Sequence, residues 1–314
     1  MNILISGFGN IGCRHAQSLL TSSDDFKLFV IEPSDKSFES GLSIIGASKD
    51  DFIRFRSINE LNSEIDLAIS ATCSEPRFGI IMDLIEYGIK YFLVEKIAFQ
   101  SMAQFDNIIE MLAANKAVAY CHSPNRYYKN FIDLKSVIKN NNDYVKLNVF
   151  GGNNGIGCNG IHFLDLFEFL TGSIICKSSA LMRHDKSFKS RGPNYTDVNG
   201  LFILKNENED QLIIYFDPMY RAGITTYIEV GDEKYIFSPR DRKEHRYKKN
   251  EIRSRDFEVL FSSKLTEIIV KDILNGNTYL STLEQSRNAY GFLLKEITRA
   301  LGKKFNNDVK CPIT

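Results

Sequence analysis

Residues 2–32 read "NILISGFGNIGCRHAQSLLTSSDDFKLFVIE", and this stretch decides the fold of the first third of the chain. The run 2–6 is short, apolar and closed by glycine, the pattern of a buried strand. Gly7-Phe8-Gly9-Asn10-Ile11-Gly12 follows, then a helical stretch over 13–22, then a second strand over 26–32 that ends on Glu32. Strand, G-x-G-x-x-G, helix, strand and acid is the order of a dinucleotide-binding unit, with the acid twenty positions after Gly12. Gly7 makes the tight turn, Gly9 admits a pyrophosphate to the backbone, and Gly12 lets helix and strand pack closely. The helix start offers N–H groups and partial positive charge to phosphate. Glu32 accepts from a ribose 2′-hydroxyl and repels a 2′-phosphate, so NAD is favoured over NADP. The alternative for the glycines is a structural turn, and for His15 a place on the helix surface or in packing.

The alternation continues. Residues 66–72, 90–96 and 117–123 read as strands, and 77–88 and 101–116 as helices. Repeated βα units predict a doubly wound parallel sheet that binds ligands at the carboxyl ends of its strands. Ser70, Ala71, Thr72, Glu95 and Lys96 fall at such ends and are expected to line a cofactor cleft with the glycine loop. From 143 onward the rhythm changes. Strand-like runs at 143–153, 177–183, 198–206, 211–217, 225–231 and 233–239 predict a largely antiparallel open sheet, with helices at 123–141, 161–172, 256–276 and 281–302. The expected domains are 1–122, a Rossmann domain binding NAD, and 123–314, an α/β domain for substrate binding and oligomerisation. The late helix 281–302 would pack back toward the first.

Bulk composition narrows the class. The 314 residues are 43% apolar, enough for a large core without disulfides or metals. Thirty-nine basic residues balance 39 acidic ones, which gives no electrostatic reason to expect a nucleic-acid or membrane partner. Six scattered cysteines without a C-x-x-C pair suit reduced thiols rather than a disulfide framework or a zinc site. No apolar run reaches the roughly 18–20 residues of a membrane span, and the opening MNILIS leaves no room for a signal peptide. A cytoplasmic protein is expected.

The chain resembles the glucose–fructose oxidoreductase / inositol dehydrogenase / MocA family. The resemblance rests on GFGNIG with Glu32, on VEK at 94–96 where the family has E-K-P, on GIHFLDLFEFLTG at 160–172 where it has G-x-H-x-x-D and a helix, and on LEQSRNAYGFLLKEI at 283–297. It implies a Rossmann domain followed by an α/β domain whose open sheet forms a homodimer or homotetramer. It also implies hydride exchange between a nicotinamide cofactor and a sugar, cyclitol or related hydroxyl compound. The segment 155–170 further resembles a branch associated with bacterial surface-glycan and nonulosonic-acid biosynthesis. Two positions depart from the family pattern: Cys158 stands where dehydrogenases carry an aspartate four residues before the histidine, and Ile97 stands where the proline is expected. The second departure predicts loss of the cis-proline turn that positions the lysine.

The resemblance places catalysis on Lys96 and His162. Lys96 would hydrogen-bond the reacting oxygen and stabilise charge developing there. His162, expected on the first turn of the helix 161–172, would be kept neutral by the helix dipole and act as base or acid; the alternative is a capping or packed histidine. Candidate substrate contacts are Arg126, Tyr127, Asn154, Cys158, Asn159 and Asp165. Arg126 is either a partner for a substrate carboxylate or phosphate or half of a structural salt bridge. Asp165 either orients substrate or is a first-turn acid suited to the helix dipole. Asn154 or Asn159 would supply polar contacts that the Cys158 thiol cannot; Cys158 as a nucleophile is the lesser reading. The charge run 238–255 reads as a solvated loop or as an anion-binding flap. The expected function is therefore NAD-dependent oxidoreduction of a secondary hydroxyl or ketone on a sugar or nucleotide-activated sugar. Alternatives are an epimerase-like enzyme with recycled NAD, or a non-catalytic NAD-binding sensor.

Overall fold

The run NILIS forms β1 (Asn2–Ser6), and Ile3, Leu4 and Ile5 are wholly buried, which is why the strand carries no polar alternation. After it come α1 (Gly12–Leu20), β2 (Lys27–Ile31), α2 (Asp35–Ile45), β3 (Ile53–Phe55), β4 (Leu67–Ser70), α3 (Ser74–Glu86), β5 (Tyr91–Val94), α4 (Met102–Ala114) and β6 (Val118–Cys121). The six strands form one parallel sheet in the order β3-β2-β1-β4-β5-β6. The order reverses at β1, so the carboxyl ends of β1 and β4 flank the switch point at which such sheets bind ligands. Two elements extend the sequence reading. Helix α2 is capped by the Ser34 side chain, which accepts from the Ser37 N–H, and it ends at Gly46 with φ 68°. Strand β3 is a three-residue edge strand.

The structure, a computed structural model, describes residues 1–141, 143–184 and 194–314. The remaining elements are α5 (Lys129–Asn141), β7 (Val145–Gly151), α6 (Ile156–Thr171), β8 (Ile175–His184), β9 (Val198–Asn206), β10 (Gln211–Phe216), β11 (Thr225–Val230), β12 (Glu233–Ser238), β13 (Lys243–Lys248), β14 (Glu251–Asp256), α7 (Ser262–Leu274) and α8 (Leu283–Ala300). The eight strands form a second sheet, ordered β14-β13-β12-β11-β7-β10-β9-β8, antiparallel except where β7 and β10 run parallel. Leu147, Val149, Phe202, Leu204, Leu212, Ile214 and Ile228 are fully buried on one face of this sheet, and α6 packs there. The expected α/β class, with a parallel Rossmann sheet and a largely antiparallel second sheet, is what the chain adopts.

Three details differ from expectation. The charge run 238–255 is neither loop nor flap; it forms β13 and β14, and its charges pair across the sheet, Arg246 and Lys248 with Glu233 on β12, and Arg255 with Glu244 on β13. The histidine-bearing helix begins at Ile156 rather than at 161. Domain membership is also not linear. One compact unit comprises Met1–Phe99, Ala103–Pro124 and Leu260–Gln285; the other comprises Gln100–Met102, Asn125–Val259 and Ser286–Thr314. Helix α7 thus belongs with the first unit rather than with 123–314, because it covers α1: Thr266 Oγ1 meets His15 Nδ1 at 2.7 Å, and the Glu267 N–H donates to Ser18 Oγ at 3.0 Å. Helix α8 contributes only its start, up to Gln285, to that unit. Among the described residues no helix is long and apolar enough to cross a membrane.

Candidate functional site

In the first unit the glycine loop is shaped by its neighbours. Gly7 has φ 87°, and a Cβ there would lie 2.9 Å from the Thr72 methyl; a Cβ on Gly12 would lie 1.9 Å from the Gly7 carbonyl oxygen. Both positions therefore require glycine, and both bring the loop against residues 71–72 at the end of β4. Gly9 is the opposite case: nothing lies within 4 Å of a Cβ placed there, and Gly9 and Asn10 are exposed, with Ile11 half-buried. That open, glycine-walled side at the start of α1 fits a pyrophosphate. Beside it, Thr72 Oγ1 and Ser70 Oγ are buried hydroxyls with no hydrogen-bond partner among the described residues, and Ala71 is half-buried. Unpartnered buried hydroxyls at a strand end are places where a ligand supplies the missing hydrogen bond.

Phe8 does not line this site with its side chain. The ring is fully buried against Phe38 and Phe52, with centroids 5.2 and 5.1 Å away, and the Phe8 N–H donates to Glu32 Oε2 at 3.0 Å. The other Glu32 oxygen accepts the Ser34 N–H, also at 3.0 Å. Two backbone donors thus fix this carboxylate at the end of β2, and each oxygen keeps a lone pair for a ribose hydroxyl.

Glu95 also departs from its expected role, since its carboxylate turns inward. Oε1 accepts from His15 Nε2 at 3.0 Å and from His122 Nδ1 at 2.7 Å, while the Lys96 N–H reaches Oε2 at 3.3 Å. Burial pushes the Glu95 pKa up, but the attraction of His122 and the hydrogen bonds from both imidazoles outweigh it and hold the group well below the carboxylate range. Burial pushes the His15 pKa down, against the pull of Glu95. His122 Nε2 is buried with no hydrogen-bond partner among the described residues.

Lys96 follows on a turn whose Lys96–Ile97 peptide is cis although no proline is present, so the turn expected to be lost is retained. Arg77, on α3 and 2% exposed, secures it: the guanidinium donates to the Glu95 carbonyl at 2.6 Å and to the carbonyls of Ile97 and Thr72. One buried arginine therefore ties residue 72 to residues 95–97. Nothing in the sequence singled it out, because "SEPRFG" reads as an ordinary helix start.

The second unit holds the other candidates. His162 is the seventh residue of α6 and half-buried, so it lies beyond the first turn, to which the helix dipole is largely confined. The argument for its neutrality from the helix start does not apply. The start is capped instead by Asp197, 4% exposed, whose Oδ1 accepts the Gly157 N–H at 2.6 Å and whose Oδ2 accepts the Cys158 N–H at 3.0 Å. A Cβ on Gly157 would stand 2.7 Å from Asp197 Oδ1, and one on Gly152 would stand 2.4 Å from the Tyr220 carbonyl. These glycines make room for the protein's own chain.

Asn159 Nδ2 donates to the Asn154 carbonyl at 2.6 Å, and Asn154 Nδ2 to the Ala222 carbonyl at 3.0 Å, so both brace the loop before α6. Asp165 is 6% exposed and paired with Arg126 Nε at 2.8 Å; it is a buried third-turn partner, not a first-turn acid. Arg126 accordingly takes the structural salt-bridge alternative, with its guanidinium carbon 5.1 Å from the Phe169 ring centre. Asn125 Nδ2 donates to the His162 carbonyl at 3.3 Å, and Tyr127 is buried. Cys158, His162 and Asp165 share one helix face by their i, i+4, i+7 spacing.

A six-stranded parallel sheet with this glycine loop, open helix start and acid defines a dinucleotide-binding Rossmann unit. Residues 1–122 match the Gfo/Idh/MocA family model, described as "Oxidoreductase family, NAD-binding Rossmann fold". Solved structures of similar fold span the chain. A UDP-N-acetylglucosamine 3-dehydrogenase from Acidithiobacillus ferrooxidans shares 16% identity at a TM-score of 0.73, covering 96% of this chain and 97% of that one. An oxidoreductase from Agrobacterium radiobacter, in complex with NAD+, L-tartaric acid and magnesium, shares 12% at 0.74, covering 96% of each. The transcriptional regulator Gal80p from Kluyveromyces lactis shares 12% at 0.75, covering 96% and 90%. No curated protein matches the sequence significantly.

Proposed function

We propose that this protein is an NAD-dependent oxidoreductase acting on a secondary hydroxyl or ketone of a sugar or nucleotide-activated sugar, in bacterial surface-glycan synthesis. The observation that carries the reading is the loop of residues 7–12, open at Gly9 and closed at Gly7 and Gly12, with Glu32 held beside it. When bound, the nicotinamide supplies the hydride acceptor or donor. Residues of this chain do the rest: the Gly9–Gly12 backbone and α1 start hold phosphate, Glu32 accepts from ribose, and Ser70 and Thr72 offer unpartnered hydroxyls. Lys96 is assigned to hydrogen-bond the reacting oxygen and His162 to take or return its proton. The sugar class is supported by the UDP-N-acetylglucosamine 3-dehydrogenase of like fold. The protein would work in the cytoplasm as a homo-oligomer, through the sheet face that exposes Phe150, Leu181 and Tyr215.

Cys158 in place of an aspartate, and the likeness to Gal80p, favour a second reading as a non-catalytic NAD-binding sensor. An NAD titration followed by a sugar and nucleotide-sugar panel separates the readings. NADH formation supports the oxidoreductase, turnover without net NADH supports an epimerase-like cycle, and saturable NAD binding without turnover supports the sensor. Full activity in His162→Ala would sink the proton-transfer assignment.

A further inference from the structure

Two arginines gather at the carboxyl ends of β2 and β3. Arg54 donates from Nε and Nη2 to the Glu32 carbonyl oxygen at 3.0 and 2.8 Å, and its guanidinium carbon lies 4.6 Å from the Phe38 ring centre. Its remaining arm, Nη1, donates to Asp35 Oδ1 at 2.7 Å. Arg56 donates from Nη2 to both Asp35 oxygens at 2.8 and 3.0 Å, and from Nη1 to the Pro33 carbonyl at 3.2 Å. One carboxylate thus answers two guanidiniums. The exposures differ in a useful way: the Arg54 side chain is 19% exposed, against 57% for Asp35 and 58% for Arg56. The Glu32 carbonyl and the Phe38 ring therefore hold Arg54 in place whether or not Asp35 is there. Asp35 is also the first residue of α2, where the helix start stabilises whichever anion stands there.

We infer that Asp35 is a specificity-determining residue: it occupies a preformed two-arginine phosphate site beside Glu32 and so directs this unit to NAD rather than to its 2′-phosphorylated counterpart. The inference rests on the reading above that the unit binds a nicotinamide dinucleotide. An NAD ribose presents a diol that needs an acceptor, which Glu32 supplies, and it needs no cation. A 2′-phosphate brings acceptor oxygens that match guanidinium forks, but it must displace an intramolecular carboxylate already on both arginines. It must also enter the field of Glu32 and Asp35 together, against which only the exposed Lys36 adds further positive charge on that turn.

The test is a calorimetric titration of NAD and of NADP into the wild type, Asp35→Ser and Asp35→Ser/Arg54→Ala. Serine keeps a helix-start residue while removing the charge. Asp35→Ser is expected to bind NADP about tenfold more tightly than the wild type, the effect of roughly one charge-assisted hydrogen bond. That gain should weaken with added salt and vanish in the double variant. Unchanged NADP affinity in Asp35→Ser, or a gain that survives removal of Arg54, overturns the inference. Failure of the parent reading shows elsewhere, as absence of NAD binding in the wild type.

Discussion

Replacing Arg77 by methionine removes a side chain that joins the ends of β4 and β5. Methionine keeps similar length and apolar bulk, so the change deletes hydrogen bonds more than volume. Three carbonyls, those of Thr72, Glu95 and Ile97, lose a charged donor inside a region where Arg77 itself is 2% exposed. Each bond to a charged group contributes about 1.5–3 kcal/mol net, but the three share one guanidinium and do not add. Relief of the buried charge offsets part of the loss. The expected cost is about 3–5 kcal/mol, or a fall of about 6–20 °C in the first unit's melting temperature at roughly 2–4 °C per kcal/mol. Scanning calorimetry reads this directly. Because Arg77 also fixes the backbone on both sides of Lys96, Arg77→Lys should lower kcat more than it raises the KM for NAD. A methionine variant that melts within 2 °C of wild type, with unchanged kinetics, refutes the clamp.

Two further outcomes follow from the second unit. Asp197→Asn keeps the shape but weakens the cap on α6, with an expected loss of about 1–2 kcal/mol; if its urea midpoint matches wild type, Asp197 does not hold the helix start. Glu168, on α6, accepts the Ile175 N–H at 3.1 Å, and burial, opposed by that bond and aided by nearby Asp165, pushes its pKa up to about 7. A carboxyl raised on folding imposes no cost below its unfolded pKa of about 4.3, a cost that grows as pH rises from there to the folded value, and a constant cost above it. Glu168→Gln should therefore stabilise the protein at pH 8, by at most about 4 kcal/mol, and have little effect at pH 4; an equal effect at both pH values would contradict the shift.

The Rossmann half was legible because its signals are local: an apolar run, glycines at fixed spacing, and an acid at the end of the next strand. Strand β3 was not, since three residues at a sheet edge carry no period. The start of α6 was hidden because Gly157, Asn159 and Gly160 are poor helix formers; a carboxylate from Asp197, forty positions from Gly157, makes the helix possible there. Strands β13 and β14 hid in a charge run because their ion pairs lie across the sheet, where no spacing along the chain reveals them. In the site, Gly7, Gly12 and Glu32 were readable from type and position. Arg77 and the inward turn of Glu95 were not, because a buried arginine and a buried imidazole look like any others until the partner is in place.

The distribution of the first unit along the chain has a consequence for synthesis. Its last piece, Leu260–Gln285, follows its previous piece by more than a hundred residues, and that piece supplies the helix covering His15 and Ser18 on α1. At about 5–20 residues per second, a ribosome that has finished Pro124 needs roughly 7–30 s more to deliver it. Throughout that interval the parallel sheet exists with one helical flank bare, and a fragment cut at the end of β6 would remain in that state permanently.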